Sequence, residues 1–553
     1  MAEASEARDR VRSHFGPLER RGVLAGWRGG QIAAVAAGLV VAVGALRADP
    51  GIAGAAVAVV AVAGAGATAS WPIAGRTAEQ WLPLVARRAA DLARGTTYVA
   101  SPAPAGGGIL VATGDGLACA DPAHRARPAR PSVAGWWRAT GRGEGAGPFA
   151  GVRIVADGPT SALPGCGVVI DERAGTATAA LVVRGHNFAL LGAADQDRRV
   201  VAWSRVLAGL ARQGGEVHRV QWLESCLPDA GDAVRAYATA HAALEEGNPA
   251  RRSYQTLLDS VAAGTRRHRV LVSLTVRTRA RTGRKGRPPG PGDGAIGPGL
   301  PEVPGSLGRE AADLCRALRA ADVVVDGVLG PSALAAVIRE SFEADMPGPV
   351  RPDGAADGTA AGAGSAAAVG AGPAGSPGAP PGVTWPWPMG VDTAWDAVRA
   401  DALWHAVYWI AEWPRIDVTP DFLGPLLFLP ARRTLAVTME PVPPAEAARQ
   451  VARDRTADLA DGELRRRGGF LVTARQQRER EGAERRDAEL ADGHAQFRFT
   501  GYLSVAAPDR EALADACMAA EQAAAQARLE LRRLYGDQDR ALACVLPLGR
   551  GLS

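Results

Sequence analysis

Lysine is all but missing from this chain: Lys285 is the only one, so nearly all of its 63 basic residues are arginine. That scarcity bears on function at once. A phosphate-binding loop of the Walker type needs a lysine after its glycines to reach the β- and γ-phosphates, with a strand before it and a helix after it. Lys285 sits in GRKGRPP, where neither is expected. The chain is therefore not read as a P-loop ATPase, and the Gly-rich pieces APAGGG and TGDG at 113–116 are read as turns. Cysteine is sparse too. Cys119, Cys166, Cys226, Cys315, Cys517 and Cys544 are scattered, with no Cys-x-x-Cys pair, which excludes a disulfide-dense scaffold and fits a reduced cytoplasmic setting. No two histidines among His14, His124, His186, His218, His241, His268, His405 and His494 show the i, i+4 or short-loop spacing of metal ligands. There is no G-x-S-x-G elbow. No catalytic, cofactor-binding or metal-ligating residue is assigned, and no enzyme activity is expected.

What the sequence does have is two long runs without charge. Eighteen residues separate Arg28 from Arg47, and twenty-five separate Pro50 from Arg76, most of them Ala, Val, Gly and Leu. At about 1.5 Å per helical residue the first reaches roughly 27 Å, close to the ~30 Å hydrocarbon core of a bilayer. The reading is a transmembrane helical hairpin over 29–75, with spans at about 29–46 and 51–73. Its anchoring residues are Trp27, Arg28, Ile32, Leu39, Leu46, Ile52, Val60, Trp71 and Arg76. Arg20, Arg21 and Arg28 precede the first span, and Arg76, Arg87, Arg88 and Arg94 follow the second. Positive flanks on that side place both termini in the cytoplasm, in a multi-pass protein of the cell membrane with the lipid bilayer as its first partner. Residues 1–28 then form a cytoplasmic N-terminal segment.

Residues 77–94 read as an amphipathic helix with Trp81, Leu82, Val85, Ala89 and Leu92 on one side, suited to the membrane interface or to packing on the first soluble domain. The rest of 76–150 is a Gly/Pro-rich connector. A first cytoplasmic α/β domain is expected over 151–346, with strands at 152–156, 167–171, 178–184, 217–223 and 269–276 and helices at 196–213, 229–245 and 252–264. A disordered insertion is expected at 278–305, where six basic residues fall between Arg277 and Arg287, and a low-complexity linker at 347–384.

A C-terminal α+β domain is expected over 385–553, with strands at 433–440 and 494–505, charged helices over 443–490, a long helix at 509–535 stopped by Gly536 and a short strand at 541–546. Across 449–492 eleven arginines face ten acidic residues, so the segment lacks the net positive charge of a DNA-binding face. The tryptophans Trp385, Trp387, Trp395, Trp404, Trp409 and Trp413 are read as core or interface packing. The fold class expected is a membrane-anchored α+β protein: a hairpin anchor followed by mixed α/β domains with Gly/Pro-rich insertions.

Several phrases together resemble an actinobacterial two-span membrane protein family of type IV secretion or conjugation-like loci. They are GRTAEQWL after the hairpin, RGHNFALLGAADQDRRVVAWSRVLAGLA, VHRVQWLESCLPD, SYQTLLDS, AVTMEPVPPAEAARQVARDRT, ELADGHAQFRFTGYLSVAA and LRRLYGDQDRALACVLPLGRGL. The last third also resembles the non-catalytic N-terminal domain of type IV secretion ATPases, which ends in a similar Pro-Leu-Gly phrase. The resemblance implies a structural subunit that docks a separate transfer ATPase and sister membrane subunits. A homo-oligomer is a further expectation, and the charge balance predicts no specific nucleic-acid binding. The alternatives are an EccE-like membrane subunit of a type VII-like system and a membrane-anchored enzyme of unrecognised type.

Overall fold

The computed structural model describes residues 29–70, 76–100, 110–119, 147–278, 303–344, 385–467 and 482–551, apart from scattered positions within these ranges. Residues 279–302 of the expected insertion, the linker at 347–384 and most of the 97–150 connector lie outside them, as do Trp27, Arg28 and Trp71.

The N-terminal part is helical. α1 (Gly29–Ala48) is the one helix, among the described residues, long and apolar enough to cross a membrane; α2 (Ile52–Ser70) carries a shorter apolar stretch, Ile52–Ala67. The two pack side by side, so closely at Gly38 that a Cβ there would lie 2.3 Å from the Ala65 Cβ. The Gln31 side chain donates to the Ala69 carbonyl at 2.6 Å. α3 (Ala78–Arg94) follows. The Gln80 Oε1 accepts from the Thr77 N–H at its start, and Gly95 at φ +67° ends it in the left-handed conformation that glycine adopts without strain.

Everything after α3 is organised by one sheet. It begins with β1 (Tyr98–Ala100) and a hairpin of β2 (Leu110–Thr113) and β3 (Gly116–Cys119). Next come β4 (Val152–Ala156), β5 (Gly167–Asp171), β6 (Thr176–Arg184), α4 (Ala193–Leu210), β7 (Val217–Pro228), α5 (Asp232–Ala240), α6 (Pro249–Ala262), β8 (Arg266–Arg277), α7 (Gly305–Ala320), β9 (Val324–Val328) and α8 (Pro331–Arg339). The remainder is β10 (Gly390–Thr393), β11 (Val398–Ala400), β12 (Leu403–Glu412), α9 (Gly424–Leu427), β13 (Arg433–Val442), α10 (Pro444–Arg467), β14 (Gln496–Ala507), α11 (Arg510–Gln526), β15 (Glu530–Arg533) and α12 (Gln538–Leu542). Every strand pairing is antiparallel except that of β2 with β4.

Two stretches of the sheet repeat one plan. In the first the strands lie in the order β4-β5-β6-β8-β7, with β9 against β6; in the second the order is β10-β11-β12-β14-β13, with β15 against β12. Helices fall at matching points. α4 and α9 follow the third strand, helical arms separate the fourth from the fifth, and α7 and α11 lead into β9 and β15. α8 and α12 close each repeat. The β6–β9 and β12–β15 pairings each carry one irregularity, at Asp326 on β9 in the first repeat and at Ala411 on β12 in the second. The repeats meet through like strands, β7 antiparallel to β13 with Trp222 opposite Val437. An antiparallel union of like strands relates the halves by an approximate twofold axis. The sequence reading treated 151–346 and 385–553 as separate units, whereas one hydrogen-bonded ladder runs through both.

Alternation along the strands divides the core between two faces. On one face Ala180, Leu223, Val407 and Ala436 pack with α8, α12 and the segment up to Leu548 in a single cluster drawn from both repeats. On the other, Leu181, Val220 and Leu274 pack under α4 and α7, while Leu435, Leu503 and Val505 pack under α9 and α11. Trp222 touches both of these clusters. The chain end ties the halves together on the shared face. Gly549 donates its N–H to Gln221 Oε1, and Thr178, Thr438 and Tyr502 donate their hydroxyls to the carbonyls of Leu548, Arg550 and Gly551. Gly549 has φ +65°, and a Cβ there would lie 2.0 Å from Thr275 Oγ1.

Two sequence expectations are corrected in the second repeat. The helix read over 509–535 ends at Gln526, because Arg528 turns the chain at φ +58° and Glu530–Arg533 pairs with β12 as a strand. The seam Leu513, Cys517, Ala520 and Ala524 is the buried face of α11. The strand read over 541–546 is helical, with α12 followed by a 3-10 turn at Ala543–Val545.

Candidate membrane-anchoring site

The apolar helices expose the side chains that a soluble protein would cover. Leu39, Val40, Val41, Val43 and Leu46 on α1 stand open, Val40 with 72% of its surface, and Ile52, Val57, Val59 and Val60 on α2 do likewise, with Ile52 at 92%. What α1 and α2 bury is small: Gly38, Ala42, Gly54, Ala58 and Ala69. Small residues in the seam and branched ones outside are the arrangement suited to lipid on the outer surface, where tight packing rather than hydrophobicity joins the helices. Of the anchoring residues read from sequence, Leu39, Leu46, Ile52 and Val60 are on this open surface and Ile32 is half-buried. Arg76 is elsewhere. Its guanidinium lies 5.4 Å from the Trp81 ring centre, and burial lowers its pKa while Asp537 opposes the shift.

α3 connects this surface to the sheet. Trp81 stacks on Trp395 with ring centres 5.8 Å apart and lies 6.2 Å from Tyr535. Arg87 reaches Asp537 at 2.7 Å and Asp539 at 3.1 Å, and Arg88 donates to the Thr393 carbonyl at 2.7 Å. These partners all belong to the second repeat. The sequence reading had offered the first domain as a packing partner; the structure gives the tryptophan–arginine face of α3 to the other half.

Where the repeats join, charges are enclosed. Arg433 on β13 is fully buried and ion-paired with Glu224 on β7; it also donates to the Leu427 carbonyl. His268 Nδ1 lies 2.7 Å from the same carboxylate. On the opposite face the fully buried Glu340 is held by Arg267 and Arg269, and Arg432 donates to its backbone carbonyl. Burial lowers the Arg432 pKa to about 10, with Glu340 and Glu343 opposing. Arg219 pairs with Glu440 at 2.8 Å across the same strand pair. These are structural contacts, since both buried carboxylates, Glu224 and Glu340, are paired with arginine within the fold.

His405 is different. It is buried against Phe342 with no partner for Nε2 among the described residues, and burial, with Arg432 nearby, pushes its pKa down to about 3. His218 falls to about 4, through burial and then Arg219 and Arg277, with Glu440 opposing. Both are neutral in the fold and protonate near pH 6.5 once unfolded. The unfolded chain therefore binds more protons between about pH 6.5 and the folded values, so stability declines as pH falls through that window. Urea unfolding of the wild type at pH 7 and pH 5 is expected to show the lower midpoint at pH 5. His405→Phe is expected to flatten that dependence.

Among the described residues no group of three or more His, Cys, Asp or Glu side chains is placed to hold a metal ion. The described cysteines Cys166, Cys226, Cys315, Cys517 and Cys544 are free thiols, and burial raises the pKa of each, that of Cys544 to about 12. A cleft between α5 and α6 is lined by Arg235, Tyr237, His241, Arg251, Tyr254 and Asp259. Tyr237 and His241 stack within it at 4.0 Å, and Arg235 pairs with Asp259 at 3.5 Å. No family model matches the chain, and no curated protein matches it.

Proposed function

We propose that the chain is a structural membrane subunit of a type IV-like secretion or conjugation apparatus. In this reading α1 and α2 both cross the cell membrane, both termini are cytoplasmic, and the duplicated sheet is a body on which a separate transfer ATPase and sister subunits dock. The observation that carries it is the coupling of an uncovered apolar helix pair to a stiff body through α3. The phrases quoted from the sequence supply the type of apparatus. The body then works by holding partners in register, with two helical arms leaving the sheet at opposite ends because β7 and β13 run antiparallel.

The anchor is tested by fractionation. Seven apolar residues of α1, from Ile32 to Leu46, favour insertion by about 2–4 kcal/mol in total, and an arginine at mid-span opposes it by about 2.5–3.5 kcal/mol. The full-length protein is expected to stay in the pellet after carbonate washing, and the Val40→Arg, Val43→Arg double variant to move to the supernatant. A wild type found in the supernatant overturns the reading. Co-purification then addresses the apparatus: a conjugative-type ATPase recovered with the detergent-solubilised chain supports it, and an FtsK-type ATPase alone transfers the assignment to the EccE-like alternative.

A further inference from the structure

α3 is amphipathic in the sense opposite to a helix on a soluble domain. Three of its polar side chains face the protein. Arg87, Arg88 and Asp91 are turned toward the second repeat and partly covered by it, with Trp81 beside them. The side turned away carries Leu82, Val85, Ala86, Ala89, Leu92 and Ala93, all exposed, with Leu82 at 72%, Val85 at 50% and Leu92 at 60%. At 3.6 residues per turn these six positions fall within about a third of the helix circumference, and none of them is polar. A surface helix normally turns such a stripe inward, because leaving it in water forfeits roughly 25 cal/mol for every Å² that could be buried. Here the inward side is already filled by the ion pairs and the Trp81–Trp395 stack.

We propose that this stripe lies in the interfacial layer of the lipid bilayer, so that α3 is a bracket between the membrane surface and the soluble body. The inference rests on the membrane-anchor reading and adds to it a second, peripheral contact that fixes how the body is held. Three observations select lipid as the occupant. α3 touches both α1 and α2, and only the residues from Trp71 to Thr77 separate α2 from α3. At most about 3.4 Å per residue, that connection keeps the start of α3 within roughly 25 Å of the end of α2. The stripe is continuous in character with the uncovered surface of the anchor, and Arg94 stands exposed at its end, where a lipid phosphate can meet it. An amphipathic helix in this position buries its apolar side about 5–10 Å into the headgroup–acyl boundary.

The test uses the full chain reconstituted into phosphatidylcholine–phosphatidylglycerol vesicles. Leu82→Cys and Leu92→Cys, in a background with Cys119 and Cys544 replaced by alanine, are labelled with an environment-sensitive NBD dye; Ser260→Cys on α6 serves as the exposed control. Blue-shifted emission at positions 82 and 92, quenched severalfold more by lipids carrying a spin label near the headgroup than at position 260, is the expected result. Unshifted emission at 82 and 92 in protein that floats with the vesicles overturns the interfacial assignment and leaves the anchor standing. Blue-shifted emission that lipid-borne quenchers do not reach also overturns it, since a protein surface then covers the stripe. Protein that fails to float removes the anchor and the bracket together. Unchanged near-ultraviolet circular dichroism of each labelled variant confirms that the body is intact.

Discussion

Replacing Glu224 by glutamine is expected to cost about 3–5 kcal/mol of unfolding free energy, because it leaves the enclosed Arg433 guanidinium without its counter-charge. The ion pair links β7 to β13, so the loss falls on the joint between the repeats rather than on either alone. Urea denaturation of the detergent-solubilised chain, followed by tryptophan fluorescence, measures it. Changing both partners, Glu224→Leu with Arg433→Met, is expected to recover most of the loss, since removing both buried charges also removes their desolvation cost. A glutamine variant as stable as the wild type would show that the guanidinium reaches water or another acceptor.

Trp387→Ala is expected to be as severe, about 3–5 kcal/mol. The indole is completely buried where the second repeat begins, stacked 5.5 Å from Phe149, which in turn meets Phe342 edge-on; both phenylalanines belong to the first repeat. Removing it empties a core to which both halves contribute. Amide exchange distinguishes a shared core from two independent ones: protection in β5 and β6 is expected to fall in step with protection in β14, although the substitution lies in only one repeat. Loss confined to the strands after 385 would mean that the ladder between β7 and β13 does not couple them.

The local elements were readable because their patterns are local. β4 and β5 occur at the residues expected, and β7, β8, β13 and β14 within a few residues of them, since runs such as VLVSLTV have a period of two. β10, β11 and β12 were not read as strands. Their tryptophans and histidine obscure the alternation, and β10 and β11 are too short to show one. The duplication is hidden from the sequence because it survives in pairing order and not in side chains. The first arm, α5 and α6, exposes Val234, Tyr237, Tyr254 and Leu257, whereas the corresponding arm of the second repeat is lined with arginine and acid.

The uncovered apolar surface of α1 was legible in outline, since absence of charge over eighteen residues is a property of composition. The direction in which α3 faces was not. Trp81, Leu82, Val85, Ala89 and Leu92 read as one stripe, yet Trp81 packs on the second repeat while the others stay exposed, and a wheel diagram cannot say which side is water, protein or lipid. Only the partners of Arg87 and Trp81, more than three hundred residues away in sequence, decide it.

Cohesion between the repeats is carried by the β7–β13 ladder, the buried pair beneath it and the carboxyl-terminal crossing at Gly549, not by the peptide that joins α8 to β10. Closing a loop of about forty residues rather than about ten costs only roughly 1.2 kcal/mol. The register of the paired halves is thus set by residues other than the Gly, Ala and Pro of 347–384. Evolution can lengthen, shorten or rewrite that stretch while the paired halves stay in register.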